Sequence, residues 1–359
     1  MHVFYDARWI LVEDRFDGVS RYSHELAWAM SKIPDLDLTW IVHDKRQLKK
    51  LPEGNHLLVN SPSSPLDELF LPRKLNKAGA KIVYSPFFVM GTLGKKYKLV
   101  LTIHDLIYFK YRTPPQWLPW LIRVGWRLFH LTYWPMRWQL NRADHIATVS
   151  ETAKSELIKV RATARPITPV KNAASQIFNS SPRSHSDSTS VVYTGAFTPY
   201  KNVECIIDAV ALLPDVKLHI CSKIPSGRRS SLESYLKERG VFERTVLHNG
   251  VTDEEYRNIL TESRCAISAS RIEGFGLPLI EAQQAGVPFV AADTDIFREI
   301  GDQSVLYFNP DSPEEAAEQI KSLSDPEVNE RYSQLGTENS ARYTWQKSAE
   351  ASFNLCKLL

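Results

Sequence analysis

Short apolar runs alternate with helical spacings along this chain, and the alternation starts afresh after its midpoint. In the first half, Val3–Tyr5, Leu38–Val42, Lys81–Tyr84 and Leu99–Ile103 read as strands. Between the first two, roughly Ser20 to Lys32, the apolar residues Tyr22, Leu26, Ala29, Met30 and Ile33 recur at helical spacing. His145–Val149 reads as a further strand, and Ser150 can cap the helix that follows it. From Ser190 onward the predicted strands are Ser190–Thr194, Val216–Ile220, Thr245–Leu247, Cys265–Ser268 and Pro288–Ala292. Helices are predicted near Val203–Leu213, Ser230–Arg239, Asp253–Thr261 and Leu277–Ala285. Strands separated by helices of about ten residues imply parallel sheets. The expected fold class is α/β, two doubly wound parallel-sheet domains facing a cleft, with ligands at the carboxyl ends of the strands. No repeat with a period of 20–50 residues supports a solenoid.

The domain expectation is 1–172 for the first domain, 173–190 for a linker and 191–340 for the second, with a closing helix at 341–359 that returns toward the first. The linker rests on the Ser-rich stretch from Asn179 to Ser190, which lacks large apolar side chains. Charge sharpens this division. The net charge is only +3, but residues 1–172 hold 26 basic and 15 acidic side chains, whereas residues 173–359 hold 18 and 26. Such asymmetry favours one half addressing a charged partner and disfavours a uniform polyanion binder. The four cysteines are widely spaced with no C-x-x-C, so neither a zinc knuckle nor a disulfide framework is indicated, and a reduced cytosolic compartment fits. The opening residues turn polar too soon for a signal peptide. No uncharged apolar run is long enough to span a membrane.

The stretch Ser268 to Asp293, SASRIEGFGLPLIEAQQAGVPFVAAD, carries the most chemistry. A strand ends, Gly274-Phe275-Gly276 lets backbone approach a ligand, and Pro278 sits in the first turn of a helix. A helix N-terminus presents free amides and a positive dipole end, which suits a phosphate. Glu273 and Glu281 flank the turn. This string resembles the E-x7-E signature of the family 4 retaining glycosyltransferases, GT-B enzymes built from two Rossmann-like domains. Further landmarks follow in order: Thr194–Asn202 resembles the family's phosphate-binding strand-loop, and His248–Val251 with Thr252–Glu255 its base-pocket strand and next helix. Phe297–Ile300, Phe308–Pro310 and Tyr343–Trp345 match later landmarks.

The resemblance implies that Glu281 holds the donor ribose and Glu273 contacts the transferred sugar. It implies that amides around Gly274, Phe275, Gly276 and Leu277 take the distal phosphate, and that Lys201 pairs with the diphosphate. The family often carries a second cation beside that lysine; Ala196 and Tyr200 stand in those places here, and Arg271 is the candidate substitute. In the first half, KLVLTIHD ends on His104 and Asp105. The resemblance places His104 against the transferred sugar. Asp17–Tyr22 resembles the family's glycine loop after the first strand, with Asp17 where a second glycine is usual; Gly18 and Arg21 are weaker candidates. No G-x-G-x-x-G follows a strand and no Walker A exists, so a nicotinamide or P-loop site is unsupported. The triplets Asp35-Leu36-Asp37 and Asp293-Thr294-Asp295 read as loop carboxylates. Neither a metal nor another cofactor is expected.

Residues 106–143 contain six basic residues, no acidic one, and five of the nine tryptophans. From Pro119 to Tyr133 the spacing is helical, with Arg123 and Arg127 on one face and Leu121, Val124, Leu128 and Leu131 on another. Three readings are open: contact of Trp117, Trp120, Arg123, Trp126 and Arg127 with an anionic membrane, a core helix, or single-stranded nucleic acid, the least favoured.

The sequence thus points to a retaining glycosyltransferase at the cytoplasmic face of the cell membrane. It would use a nucleotide sugar, GDP-mannose ahead of a UDP-sugar, and a lipid-linked or cell-envelope glycan acceptor. The alternatives are a GT-B sugar-nucleotide epimerase, which needs no acceptor, and a non-catalytic membrane or nucleic-acid binding module.

Overall fold

A computed structural model describes residues 1–13, 18–114, 119–180 and 184–359. The chain divides into two compact units: Met1–Asn172 with Trp345–Leu359, and Ala173–Thr344.

The first unit holds a seven-stranded sheet of β1 (His2–Asp6), β2 (Asp37–Val42), β3 (Asn55–Leu58), β4 (Ile82–Ser85), β5 (Lys98–Ile103), β6 (His145–Thr148) and β7 (Ile167–Pro169), in the order β3-β2-β1-β4-β5-β6-β7. The second holds six strands, β8 (Ser190–Tyr193), β9 (Lys217–Ile220), β10 (Thr245–Leu247), β11 (Cys265–Ser268), β12 (Phe289–Ala292) and β13 (Val305–Phe308), in the order β10-β9-β8-β11-β12-β13. Every pairing is parallel. Helices cover both faces of a parallel sheet, so its central strands are largely apolar; Val3, Tyr5, Val83, Leu99, Leu101, Val191, Leu218 and Val290 are all fully buried.

The order reverses between β1 and β4 in the first sheet and between β8 and β11 in the second. Chains leaving neighbouring strands at such a switch point diverge to opposite faces and open a crevice at the carboxyl edge. The second unit's site cluster falls there; in the first unit Gly18 and Arg21 lie on the helix after β1, and His104 follows β5, the strand next to β4.

Three strands escape the hydrophobic pattern. Lone Asn55–Leu58 is half polar and largely exposed, β7 is three residues ending in proline, and β13 follows the strand that the pattern takes as last. All three are edge strands, buried on fewer sides, so the apolar signal is weaker. The 173–190 stretch is not a free linker. Ala173, Ala174 and Phe178 are buried, Phe178 meets the Tyr256 ring edge-on at 5.6 Å, and the His185 amide donates to Asn329. The last helix, Trp345–Lys357, packs on the helix Gly18–Met30 of the first unit; Trp345 meets Tyr22, and Ser352 donates to the Tyr84 hydroxyl.

Candidate active site

In the second unit the loops after β8 and β11 lie side by side. The β8 loop turns tightly on Gly195, where a Cβ would stand 2.7 Å from the Tyr193 hydroxyl. Its amide donates to Ser222 Oγ at 2.7 Å, and the Tyr193 hydroxyl donates to the Ala196 carbonyl. A short turn, Pro199–Lys201, ends on Asn202 in the left-handed region at φ 53°, with Asn202 Nδ2 donating to Pro310 O at 2.8 Å. The loops are then joined directly: Arg271 N donates to Tyr200 O at 2.8 Å, and Lys201 Nζ lies 2.5 Å from Glu273 Oε1. Both side chains of that ion pair are largely shielded from solvent. Burial, and next the Glu273 carboxylate, raise the Tyr193 phenol well above its usual range, so the carboxylate bears on this strand end as well.

The helix Leu277–Gln284 begins at Gly276, whose φ of +90° admits side chains only under strain. A Cβ there would stand 3.0 Å from the Phe297 ring. Gly276 has no side chain with which to cap this helix, Pro278 in its first turn carries no N–H, and Leu279 N donates to Gly276 O at 3.0 Å, so Leu277 carries the helix's leading amide. Phe275 turns inward to meet Tyr343 edge-on at 5.6 Å; only its backbone can serve a ligand. Glu281 is buried on the same helix. The structure therefore gathers Lys201, Glu273 and the Gly274–Leu277 turn at one switch point. The Arg271 guanidinium reaches Asp311 at 2.5 Å and Pro310 O at 3.4 Å, tying the loop to the segment after β13. Of the triplet carboxylates, Asp293 is held by Arg298 through two bonds of 2.7 Å.

In the first unit His104 follows β5 directly. Its Nε2 donates to Pro86 O at 2.9 Å, Tyr22 meets the ring edge-on at 4.8 Å, and Phe87 lies 6.2 Å away. Tyr22 belongs to the helix that Gly18 opens. Arg21 is half-buried on that helix, and Asp17 lies outside the described residues.

The sequence reading missed the group that fixes this edge. Asp6, the last residue of β1, takes Arg8 through bonds of 2.7 and 3.0 Å, and the same guanidinium reaches Glu68 at 2.5 Å. All three are buried. Ser85 donates to Asp6, and the Gly91 amide and Asn60 donate to Glu68, so three loops are tied to one cation. Arg8 hands its position on to Trp9, which packs on Phe87 at 4.5 Å. Asp6 and Arg8 at a strand end are ordinary in sequence, and their partner stands sixty residues on; nothing local signals the cluster.

The helix Trp120–Leu131 is held by its inner side, where Trp126 and His130 meet Tyr108 and Phe129 meets Phe109, as does Tyr133 just past the helix end. Trp126 is half-buried by these contacts. Leu121, Ile122, Val124, Leu128 and Leu131 face outward with Trp120 and Arg127, and Trp134 and Trp138 follow them; Arg123 is half-buried. Trp117 lies outside the described residues. Among the described residues no helix is long and apolar enough to cross a membrane.

Comparison with known proteins agrees with this architecture. Residues 16–174 match the family model "Glycosyltransferase Family 4", and residues 176–340 match "Glycosyl transferases group 1". The chain is 26% identical to O-antigen chain mannosyltransferase B of Escherichia coli over 95% of its own length and 96% of that protein's. It is 27% identical to a GDP-mannose:cellobiosyl-diphosphopolyprenol alpha-mannosyltransferase of Xanthomonas oryzae pv. oryzae, over 37% of each chain. Its fold superposes on sucrose-phosphate synthase from Thermosynechococcus elongatus with a TM-score of 0.77, covering 99% and 98% of the two chains at 16% identity. With two doubly wound units and a glycosyltransferase model on each, the chain belongs to the family 4 glycosyltransferases of GT-B fold.

Proposed function

We propose that this glycosyltransferase moves mannose from GDP-mannose to a lipid-linked or cell-envelope glycan, retaining the anomeric configuration, at an anionic membrane surface on the cytoplasmic side. The observation that carries the donor assignment is the Lys201–Glu273 pair beside the uncapped Gly276 turn at the β8/β11 switch point. A cation beside the positive end of a helix suits a diphosphate; a carboxylate next to them suits the hydroxyls of the sugar that the diphosphate carries. Glu281, buried one helical segment further on, takes the ribose hydroxyls. The two mannosyltransferase relatives favour mannose, and the printed name of the second favours GDP-mannose as donor and a diphosphopolyprenol-linked acceptor.

In the reaction the bond from the anomeric carbon to the diphosphate breaks as the acceptor oxygen bonds to that carbon on the same face. The acceptor's proton passes to a phosphate oxygen. Lys201 and the Gly276–Leu277 amides stabilise the charge that grows on the leaving diphosphate, the main source of acceleration in such a site. The family resemblance makes His104 the first unit's candidate for contact with the transferred sugar. Its Nε2 proton is committed to Pro86 O, and Tyr22 and Phe87 fix the ring.

The outward leucines of Trp120–Leu131, with Trp120, Trp134 and Arg127, support membrane contact. Exposed apolar side chains flanked by cations suit the headgroup boundary of anionic lipid better than a core or stacked bases. Incubation with GDP-mannose and a polyprenyl-diphosphate-linked glycan tests the whole reading. Labelled mannose should enter the lipid fraction with the donor's anomeric configuration and release GDP; turnover of the sugar nucleotide without acceptor or GDP release would indicate an epimerase instead.

A further inference from the structure

A second surface of the first unit has the same chemistry as the tryptophan helix. Between Leu69 and Ala143 the chain carries thirteen basic residues and a single acidic one, Asp105. Within this stretch the helix Leu71–Lys77 and the loop before β5 enclose a groove of about 400 Å³, lined by Leu69, Arg73, Asn76, Leu93, Gly94 and Lys96. The groove is built in advance by one side chain. Asn76 donates from Nδ2 to Gly94 O and accepts from Lys96 N at Oδ1, both at 2.9 Å, which clamps loop to helix. Leu66, Leu69, Phe70 and Leu93 are 77%, 51%, 51% and 57% exposed around it. Arg73, lying over the Phe70 ring, and Lys96 are exposed at its two sides. The nearby Lys95 is instead taken by Asp144 at 2.7 Å.

The same loop joins this groove to the tryptophan segment. Gln139 donates to the Phe88 and Met90 carbonyls, and Arg142 donates to Thr92 while lying 5.0 Å from the Trp138 ring. Exposed apolar side chains thus run from Trp134 and Trp138, past the 88–96 loop, to Phe70 and Leu66.

We infer that the Asn76-clamped groove seats an anionic phospholipid, its phosphate between Arg73 and Lys96 and its acyl carbons against Leu69 and Leu93. A soluble phosphate would use the two cations but leave four large apolar side chains in water; a lipid satisfies both. The inference rests on the membrane-facing reading of the tryptophan helix and extends it to a second contact, which fixes how the first unit is turned on the surface.

Co-sedimentation of the whole chain with phosphatidylcholine vesicles, with and without phosphatidylglycerol, separates the two. The variants are Arg73→Gln/Lys96→Gln in the groove and Leu121→Ser/Leu128→Ser on the helix. Two cations near such a surface are worth roughly thirtyfold in partitioning, so the groove variant should lose about that much binding to the anionic vesicles and little to neutral ones. Retention of its shift in melting temperature with GDP shows that the variant is folded. Wild-type binding by the groove variant, with binding lost in the helix variant, overturns the groove while leaving the helix in place. No binding of the unaltered chain to either vesicle overturns both.

Discussion

Lys201 Nζ and Glu273 Oε1 stand 2.5 Å apart, one on the loop after β8 and the other on the loop after β11, with little solvent access to either. A diphosphate at Lys201 and this carboxylate compete for the same cation. Glu273→Gln removes the competitor and one negative charge from the phosphate's surroundings. It should therefore bind GDP several-fold more tightly while transfer falls about 10²-fold. Lys201→Ala should weaken GDP binding tenfold or more, as expected for a lost charge-assisted contact. Titration calorimetry with GDP reads both. Unchanged GDP affinity in Lys201→Ala removes the phosphate role.

Gly276 is the second point of leverage. Alanine there meets both a φ of +90° and the Phe297 ring at 3.0 Å. Gly276→Ala should cost about 1–3 kcal/mol of stability and should weaken GDP binding by tilting the amides that follow. Calorimetric melting with and without GDP reads the two effects. A variant that melts and binds like the unaltered chain contradicts the turn's geometry.

Removing Arg8 leaves Asp6 and Glu68 buried and facing one another without their cation. Breaking a buried pair from one side costs about 3–5 kcal/mol. Arg8→Met should therefore lower the denaturation midpoint strongly. Replacing all three residues with apolar side chains of similar volume should recover much of the loss, because the ion cluster itself is costly to bury. Failure of the triple replacement to exceed the single one would show that the hydrogen bonds from Ser85, Asn60 and Gly91 dominate instead.

Burial holds several imidazoles neutral. His24 is pushed down to about 4, by burial first and then by Lys50 and Arg21. His43, His130, His145, His219 and His248 are lowered as well, each by burial first. Above the usual 6.5 these rings are neutral whether folded or not, so they leave stability unchanged with pH. Below it the unfolded chain takes protons that the folded chain refuses, so stability falls as pH drops from about 6.5 toward 4. Melting temperature across that window should decline, and His24→Gln should flatten part of the decline. A melting temperature independent of pH over the window contradicts the assignment.

Legibility in the sequence followed burial. Central strands of a parallel sheet are apolar on both faces, so β1, β2, β4, β5, β6, β8, β9, β11 and β12 stood out; of the edges, β10 was read as Thr245–Leu247, whereas β3, β7 and β13 were not. The donor loop was legible because a tight turn on Gly276, a first-turn proline and the spacing from Glu273 to Glu281 are all local. Their union with Lys201 was legible only through resemblance, since seventy-two residues separate Lys201 from Glu273. Arg8, Asp6 and Glu68 had no local signal. On the tryptophan helix the spacing showed an apolar face without showing where it pointed; packing of Trp126 and His130 on Tyr108 decides that.

The central claim is that a nucleoside diphosphate binds at the β8/β11 switch point through Lys201 and Glu281, with guanine preferred. Melting temperature in saturating GDP, UDP and ADP tests it most directly, because a ligand that binds only the folded chain raises stability by mass action. GDP should give the largest rise, and Lys201→Ala and Glu281→Ala should each abolish most of it. No rise with any of the three nucleotides, or an equal rise in both variants, would contradict it.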